Sequence, residues 1–262
     1  MPETDILVVL PTLGERLETL EQTLSSVRDQ QADVRLRLVV VLPAEATDAR
    51  ALAETFGATL VDDPRRGISH AINLGVASAR SERYYAWIGD DDLFRPGSLR
   101  LLQDLIESAP DAVLAYGACE YVDIRGRLLF TNRAGRLARW LLPWGPDLIP
   151  HPGSLLRIDA MQRVGLFDED LKYAMDLDLF LKLRREGRFV ATRTPVSAFR
   201  WHPDSLTVAG RRASGAEADR VKKRHLPAAL RPLCGLWHTP VNIAARRAAR
   251  ATSARAARLD SE

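Results

Sequence analysis

Four short apolar runs alternate with three helix-like stretches near the start of this chain, and that alternation restricts its fold more than any other property. Residues 5–10 (DILVVL), 36–42 (LRLVVVL), 58–61 (ATLV) and 84–89 (YYAWIG) each read as a buried strand. Between the first two, Leu17, Leu20, Leu24 and Val27 recur at the spacing of an amphipathic helix. Residues 47–56 supply a second helix, and Ile68, Ala71, Ile72, Gly75 and Val76 mark a third. A βαβαβαβ order predicts an α/β fold, Rossmann-like, with a mostly parallel central sheet flanked by helices. Ligands of such sheets bind beyond the carboxyl ends of the strands. Two places meet that description: Pro11-Thr12 after the first run, and residues 90–92 after the fourth. Further on, a helix over 96–108 precedes strands over 112–121 and 128–132 joined by a turn at 123–126, so the second half is mixed. Residues 140–152, rich in Trp and Pro, read as a loop over the sheet edge.

The fourth strand runs straight into Asp90-Asp91-Asp92. Adjacent carboxylates raise one another's pKa, and the cost grows where protein excludes water. A hard divalent cation removes that conflict, because Mg²⁺ or Mn²⁺ takes oxygen ligands and commonly uses one or two carboxylates together with substrate phosphates. A metal carrying a diphosphate therefore suits the cluster, and so does a solvated turn capping the next helix.

A second acid sits where an acid is unexpected. Residues 175–187 (MDLDLFLKLRREG) read as a helix closed by glycine. On a wheel of about 100° per residue, Leu179, Phe180 and Leu183 all lie within about 60° of Asp176, whereas Asp178 falls on the opposite side beside Lys182. An i,i+4 ion pair to Lys182 accounts for Asp178. Asp176 instead points at the apolar face, where desolvation raises a carboxyl pKa toward values useful to a general base. A first-turn acid favoured by the helix dipole is the plainer alternative.

Bulk properties narrow the class. With 262 residues, 46% hydrophobic and 27% charged, the chain has ample material for a core. Cys119 and Cys234 lie far apart without CxxC spacing, which favours neither a disulfide scaffold nor a zinc site. No apolar span of about 18 residues occurs, and Met1-Pro2-Glu3-Thr4-Asp5 lacks the basic-then-apolar order of a signal peptide, so a cytoplasmic location is expected. The net charge of +3 conceals an asymmetry: residues 211–262 hold 12 Lys/Arg against 4 Asp/Glu, while residues 1–210 hold 25 against 30. Residues 1–210 are expected to form the main domain, and 211–262 a basic Ala/Arg-rich extension, helical or disordered. Its arginines recur at helical spacing with few large apolar side chains to insert. Attraction to the inner face of the plasma membrane and a solvated tail are the two readings; nothing supports nucleic acid as a partner.

Over residues 4–208 the chain resembles glycosyltransferase family 2, the inverting nucleotide-sugar transferases of GT-A fold. The resemblance rests on three motifs in order: Pro11-Thr12 and Arg16 with residues 18–30; residues 67–75 (GISHAINLG) with 87–92 (WIGDDD); and residues 149–153 (IPHPG) with 164–169 (VGLFDE) and 174–183 (AMDLDLFLKL). It implies that Asp92 binds Mn²⁺ or Mg²⁺ and that Asp90 and Asp91 contact the donor's ribose or the metal. Pro11, Thr12, Arg16, Gly67, His70 and Asn73 fall in its donor-binding segments. Asp176 aligns with its catalytic base, the residue that the wheel singles out independently. His151 falls where the family carries a His near acceptor or diphosphate, and His202, after a strand expected over 195–199, reads either as a ligand of the metal or diphosphate or as a surface-turn histidine. Two departures stand out: the second strand ends Leu42-Pro43 where the family has a base-reading Asp, and His70 precedes Ala71 where Asp is common. The partners implied are a nucleoside-diphosphate sugar and a hydroxyl of a glycan or lipid-linked acceptor, as in making cell-surface polysaccharide or cell-wall glycan. A sugar-phosphate nucleotidyltransferase and a GT-A-like binding protein without catalysis are the alternatives.

Overall fold

A computed structural model describes residues 5–133, 135–201 and 211–260. Its first half follows the expected alternation. Strand β1 (Ile6–Pro11), helix α1 (Leu17–Gln30), β2 (Leu36–Leu42), α2 (Thr47–Thr55), β3 (Thr59–Asp62), α3 (Ile68–Ala77) and β4 (Tyr84–Trp87) form a parallel set in the order β3-β2-β1-β4. Every residue of β1 is buried. Because successive side chains on a strand face opposite sides, Leu7 and Val9 join one hydrophobic cluster with α3, while Ile6, Val8 and Leu10 join another with α1. Helices thus cover both faces, as a parallel sheet requires. Helix α3 lies so close to β1 that a Cβ on Gly75 would sit 2.4 Å from Val9 Cγ1, a separation that only glycine permits.

Beyond β4 the sheet becomes mixed. It continues through β8 (Ser154–Arg157), β6 (Ala112–Val122) and β9 (Arg188–Arg200) to a two-residue strand β5 (Leu93–Phe94), with β7 (Leu128–Asn132) paired to β6. Strands β8 and β5 are antiparallel to their neighbours, whereas β6 and β9 are parallel. Helix α4 (Ser98–Glu107) matches the expected position. The 140–152 stretch is more ordered than a loop: it overlaps a short helix α5 (Ala138–Leu141) and ends in a 3-10 turn at His151–Gly153. Helix α6 (Ile158–Val164) then leads to α7 (Met175–Leu183), the helix that carries Asp176.

The basic C-terminal stretch is helical over α8 (Arg211–His225) and α9 (Gly235–Asp260), and neither helix is long and apolar enough to cross a membrane. Although it begins past the expected domain boundary, α8 packs on α7. Val221 is fully buried within the cluster that holds Leu177, Phe180 and Leu181.

Candidate active site

The strand tips meet as the open-sheet rule requires, and the chain supplies its own cation to two of the three acids. At the end of β1, Thr12 donates its hydroxyl to Asp90 Oδ2 at 2.6 Å and accepts from Gly14 N at 2.9 Å. Arg16, just before α1, pairs with Asp90 Oδ1 at 2.6 Å and Asp91 Oδ2 at 2.7 Å. Burial still raises the Asp90 carboxyl above its ordinary range, against the opposing hydrogen bond from Thr12 and the charge of Arg16. The repulsion read from the sequence is therefore partly relieved without any bound ion, and what remains concentrates on Asp92.

Asp92 is buried beneath its neighbours. Its Oδ1 accepts from Arg200 N at 3.1 Å, and its carbonyl accepts from Thr23 Oγ1 at 2.8 Å. No hydrogen bond reaches Oδ2 among the described residues, and burial first, then Asp91, pushes this carboxyl well above its usual range. An ionised carboxylate there is costly unless a cation joins it. Among the described residues no cluster of three or more His, Cys, Asp or Glu could hold an ion by itself. One hard oxygen ligand beside a strand tip nevertheless suits a divalent cation completed by a diphosphate and water. His202 lies outside the described residues.

Asp176 lies in the first turn of α7 and is held locally, its Oδ1 accepting from Leu177 N at 2.8 Å. Its side chain stays 30% exposed, with Oδ2 lying 4.0 Å from His151 Nδ1. Burial pushes the carboxyl up to about 6. His151 is enclosed by aromatic rings, with centroids 4.5 Å from Trp87 and 5.5 Å from both Phe167 and Phe180. Desolvation holds its pKa well below the usual value, so the imidazole is neutral, and neither ring nitrogen has a hydrogen-bond partner among the described residues. Trp87 Nε1 also lacks one. Because Trp87 lies three residues before Asp90, this ring connects the Asp176 side of the site to the acidic strand tip.

The remaining expected residues divide. Gly67 heads α3 with φ of +106°, a conformation that suits glycine. His70 Nδ1 lies 3.0 Å from Glu169 Oε2, while Asn73 donates to Glu169 Oε1 at 3.1 Å and exchanges hydrogen bonds with the backbone of Phe167. Both residues therefore grip the segment between α6 and α7. Pro11 is buried at the end of β1.

Three participants were not singled out in the sequence. Asp147 carries a carboxyl raised well above its range, by burial first and then by Asp176. Lys222 of α8 is buried and its pKa is lowered by desolvation, with Asp219 and Asp147 opposing. Glu217 of α8 accepts at Oε1 from the backbone N–H groups of Lys172, Tyr173 and Ala174, at 3.1, 2.6 and 2.7 Å. Those donors lead into α7, so Glu217 holds the approach to that helix from 43 to 45 residues away in sequence. An acid set between Pro146 and Leu148 was the one readable signal for Asp147. Glu217 and Lys222 lie in a helix whose polar residues look solvated until its packing is seen.

The sequence profile described as glycosyl transferase family 2 matches residues 7–158, more than half of the chain. The chain belongs to glycosyl transferase family 2. The match covers the strand tip with Thr12, Arg16 and residues 90–92, together with His151, while Asp176 lies beyond its end. Curated relatives of this family 2 chain include uncharacterized glycosyltransferases of Rickettsia. That of R. prowazekii (strain Madrid E) is 24% identical over 159 residues, covering 57% of this chain and 50% of the relative. That of R. bellii (strain RML369-C) is 26% identical over 145 residues, covering 53% of this chain and 21% of the relative. The chain thus spans at most about half the length of these relatives. Solved structures share its GT-A fold at low identity. Mannosyltransferase PcManGT from Pyrobaculum calidifontis, in complex with GDP-Man and Mn²⁺, aligns with TM-score 0.65 and 20% identity over 99% of this chain and 81% of that one. S. aureus TarS 1–349, in complex with UDP-GlcNAc, aligns with TM-score 0.65 and 13% identity over 88% and 70%.

Proposed function

We propose that this family 2 chain is an inverting, metal-dependent glycosyltransferase, moving a sugar from a nucleoside-diphosphate sugar to a hydroxyl of a glycan or lipid-linked acceptor. The acceptor would serve cell-surface polysaccharide or cell-wall glycan synthesis on the cytoplasmic side. The observation that carries this reading is Asp176, a part-exposed carboxylate with pKa raised to about 6 beside a neutral His151. A base with that pKa is ionised at neutral pH while still able to take a proton.

In this reading Asp176 accepts the acceptor hydroxyl's proton as its oxygen attacks the anomeric carbon, and a single displacement inverts that carbon. General-base help of this kind is typically worth about 10²- to 10⁴-fold. His151 offers a ring nitrogen to the same hydroxyl, with Trp87 and Phe167 enclosing it. Pro11, Thr12, Arg16, Gly67, Asp90 and Asp91 form the donor side, and His70 and Asn73 shape it through Glu169. Asp92, with His202, would hold Mn²⁺ or Mg²⁺, and that ion when bound stabilises negative charge on the departing diphosphate. The nucleotide-sugar complexes of PcManGT and TarS, one of them with Mn²⁺, support a donor and ion of this class.

The test is a panel of nucleotide sugars, scored first by thermal shift with and without Mn²⁺ and then by product configuration from NMR coupling constants. An inverted product made by the wild type and not by Asp176→Asn is expected. A retained anomer, or full turnover by Asp176→Asn, would overturn the mechanism; pyrophosphate release from a nucleoside triphosphate and sugar phosphate would mark a nucleotidyltransferase instead.

A further inference from the structure

The C-terminal stretch read alone offers arginines but few large apolar side chains, and the fold supplies the missing ones from elsewhere. Helix α5 buries Ala138 and Leu142 and turns its other face outward, leaving Leu137 70%, Trp140 62% and Leu141 40% exposed. Residues at i, i+3 and i+4 share one helix face, so these three form a single apolar surface. Trp144 just beyond them meets Trp237 of α9 edge-on at 5.4 Å. Next to that contact, Leu236 of α9 is 74% exposed.

On α9, Leu236, Ile243, Arg247 and Arg250 lie at spacings of 7, 4 and 3, on one exposed side of the helix. That side is apolar near Trp237 and basic toward its far end. Arg136, exposed directly before Leu137, adds a cation at the α5 edge. The Trp144–Trp237 contact joins the segment that carries one exposed apolar face to the helix that carries the other, and exposed apolar side chains gathered in this way mark interaction sites. Tryptophan with leucine, flanked by arginine, is the composition of a surface that lies in a bilayer interface.

From this juxtaposition we infer that the α5 and α9 faces together form a docking surface for an anionic lipid bilayer, with Leu137, Trp140, Leu236 and Ile243 inserted at the headgroup boundary and Arg136, Arg247 and Arg250 on the lipid phosphates. Charge favours this occupant over a second copy of the chain, since self-association across the patch would oppose arginine to arginine. The inference does not depend on sugar transfer and is read without any assay of it.

Flotation with phosphatidylcholine vesicles, with and without phosphatidylglycerol, tests it on the full chain. Binding to the anionic vesicles alone is expected, falling at high salt. Trp140→Ser and Leu236→Ser should each weaken it about tenfold, and Arg247→Gln about fivefold, which corresponds to about 1 kcal/mol per basic residue at a membrane surface. All three positions are exposed, so melting curves should stay unchanged. Absence of binding to anionic vesicles overturns the inference, as does equal binding by the variants. A dimer in sedimentation that Trp140→Ser dissociates would reassign the surface to a second copy.

Discussion

Asp176 sets the pH behaviour expected of the site at the level of single residues. Its carboxyl must be ionised to act as a base, so kcat/KM should be level at neutral pH and fall about tenfold per unit below about 6, measurable in a pH–rate profile. Stability carries the opposite sign. The folded-state pKa of about 6 exceeds the ordinary 3.8, so the native state binds this proton more tightly than the unfolded chain does. Stability is lost as pH rises between those two values, and the loss persists above them. Asp176→Asn should therefore abolish transfer yet raise Tm by a few degrees at pH 8 and by little at pH 4, as differential scanning calorimetry would show. His151 makes a parallel case. With both ring nitrogens unpartnered among the described residues and set in an aromatic box, His151→Phe removes a buried polar cost of about 1–3 kcal/mol. A chain at least as stable as the wild type, with a lowered kcat, is expected from chemical melts and steady-state rates.

Between elements, the informative contact is α8 on α7. The wheel places Asp178 opposite the apolar side, and it does pair with Lys182 at 2.8 Å, but that side is not solvent. Helix α8 covers it, bringing His225 Nε2 to 2.8 Å from Asp178. Burial works against the ionised form of Asp178, yet the hydrogen bonds from His225 and Lys182 hold its carboxyl below the ordinary range. Periodicity within one helix cannot reveal a second helix that starts only at Arg211, which is why the wheel pairs Asp178 with Lys182 alone and gives no sign of Glu217. Glu217→Gln weakens three charge-assisted hydrogen bonds at the approach to α7 and should cost about 1–3 kcal/mol in denaturant melts. Glu217 also adds negative charge near Asp176 and helps raise its pKa. The same variant should therefore shift the acidic limb of the pH–rate profile to lower pH, which loss of a purely structural contact would not do. Where α3 meets β1, Gly75→Ala forces a Cβ into Val9 and should destabilise by about 1–3 kcal/mol.

Across the whole molecule, what could be read from the sequence follows a physical boundary. The parallel half was legible because its strands are continuous apolar runs punctuated by proline and glycine and separated by helical stripes. In the second half α4, β6, β7 and α7 were legible too, but β5 has two residues and β8 has four and follows a 3-10 turn, and such short pieces carry no period. In the candidate site, the acids past a strand's end and at a helix start were visible because a charge beside apolar residues is conspicuous. The pairing of Arg16 with Asp90 and Asp91 spans more than 70 residues and needed the fold. Truncation after Gly210 should expose the α7 side that Val221 covers and strip Asp178 of His225, lowering both Tm and transfer in the same preparation. Glu217 also bears on how the protein is made. A chain emerging from the ribosome in sequence order completes the sheet and α7 well before the residue that steadies the segment leading into α7. The proposed base would then be set in its working position only after α8 has left the exit tunnel and docked, so a nascent chain stays idle until residues 211–225 have folded onto α7.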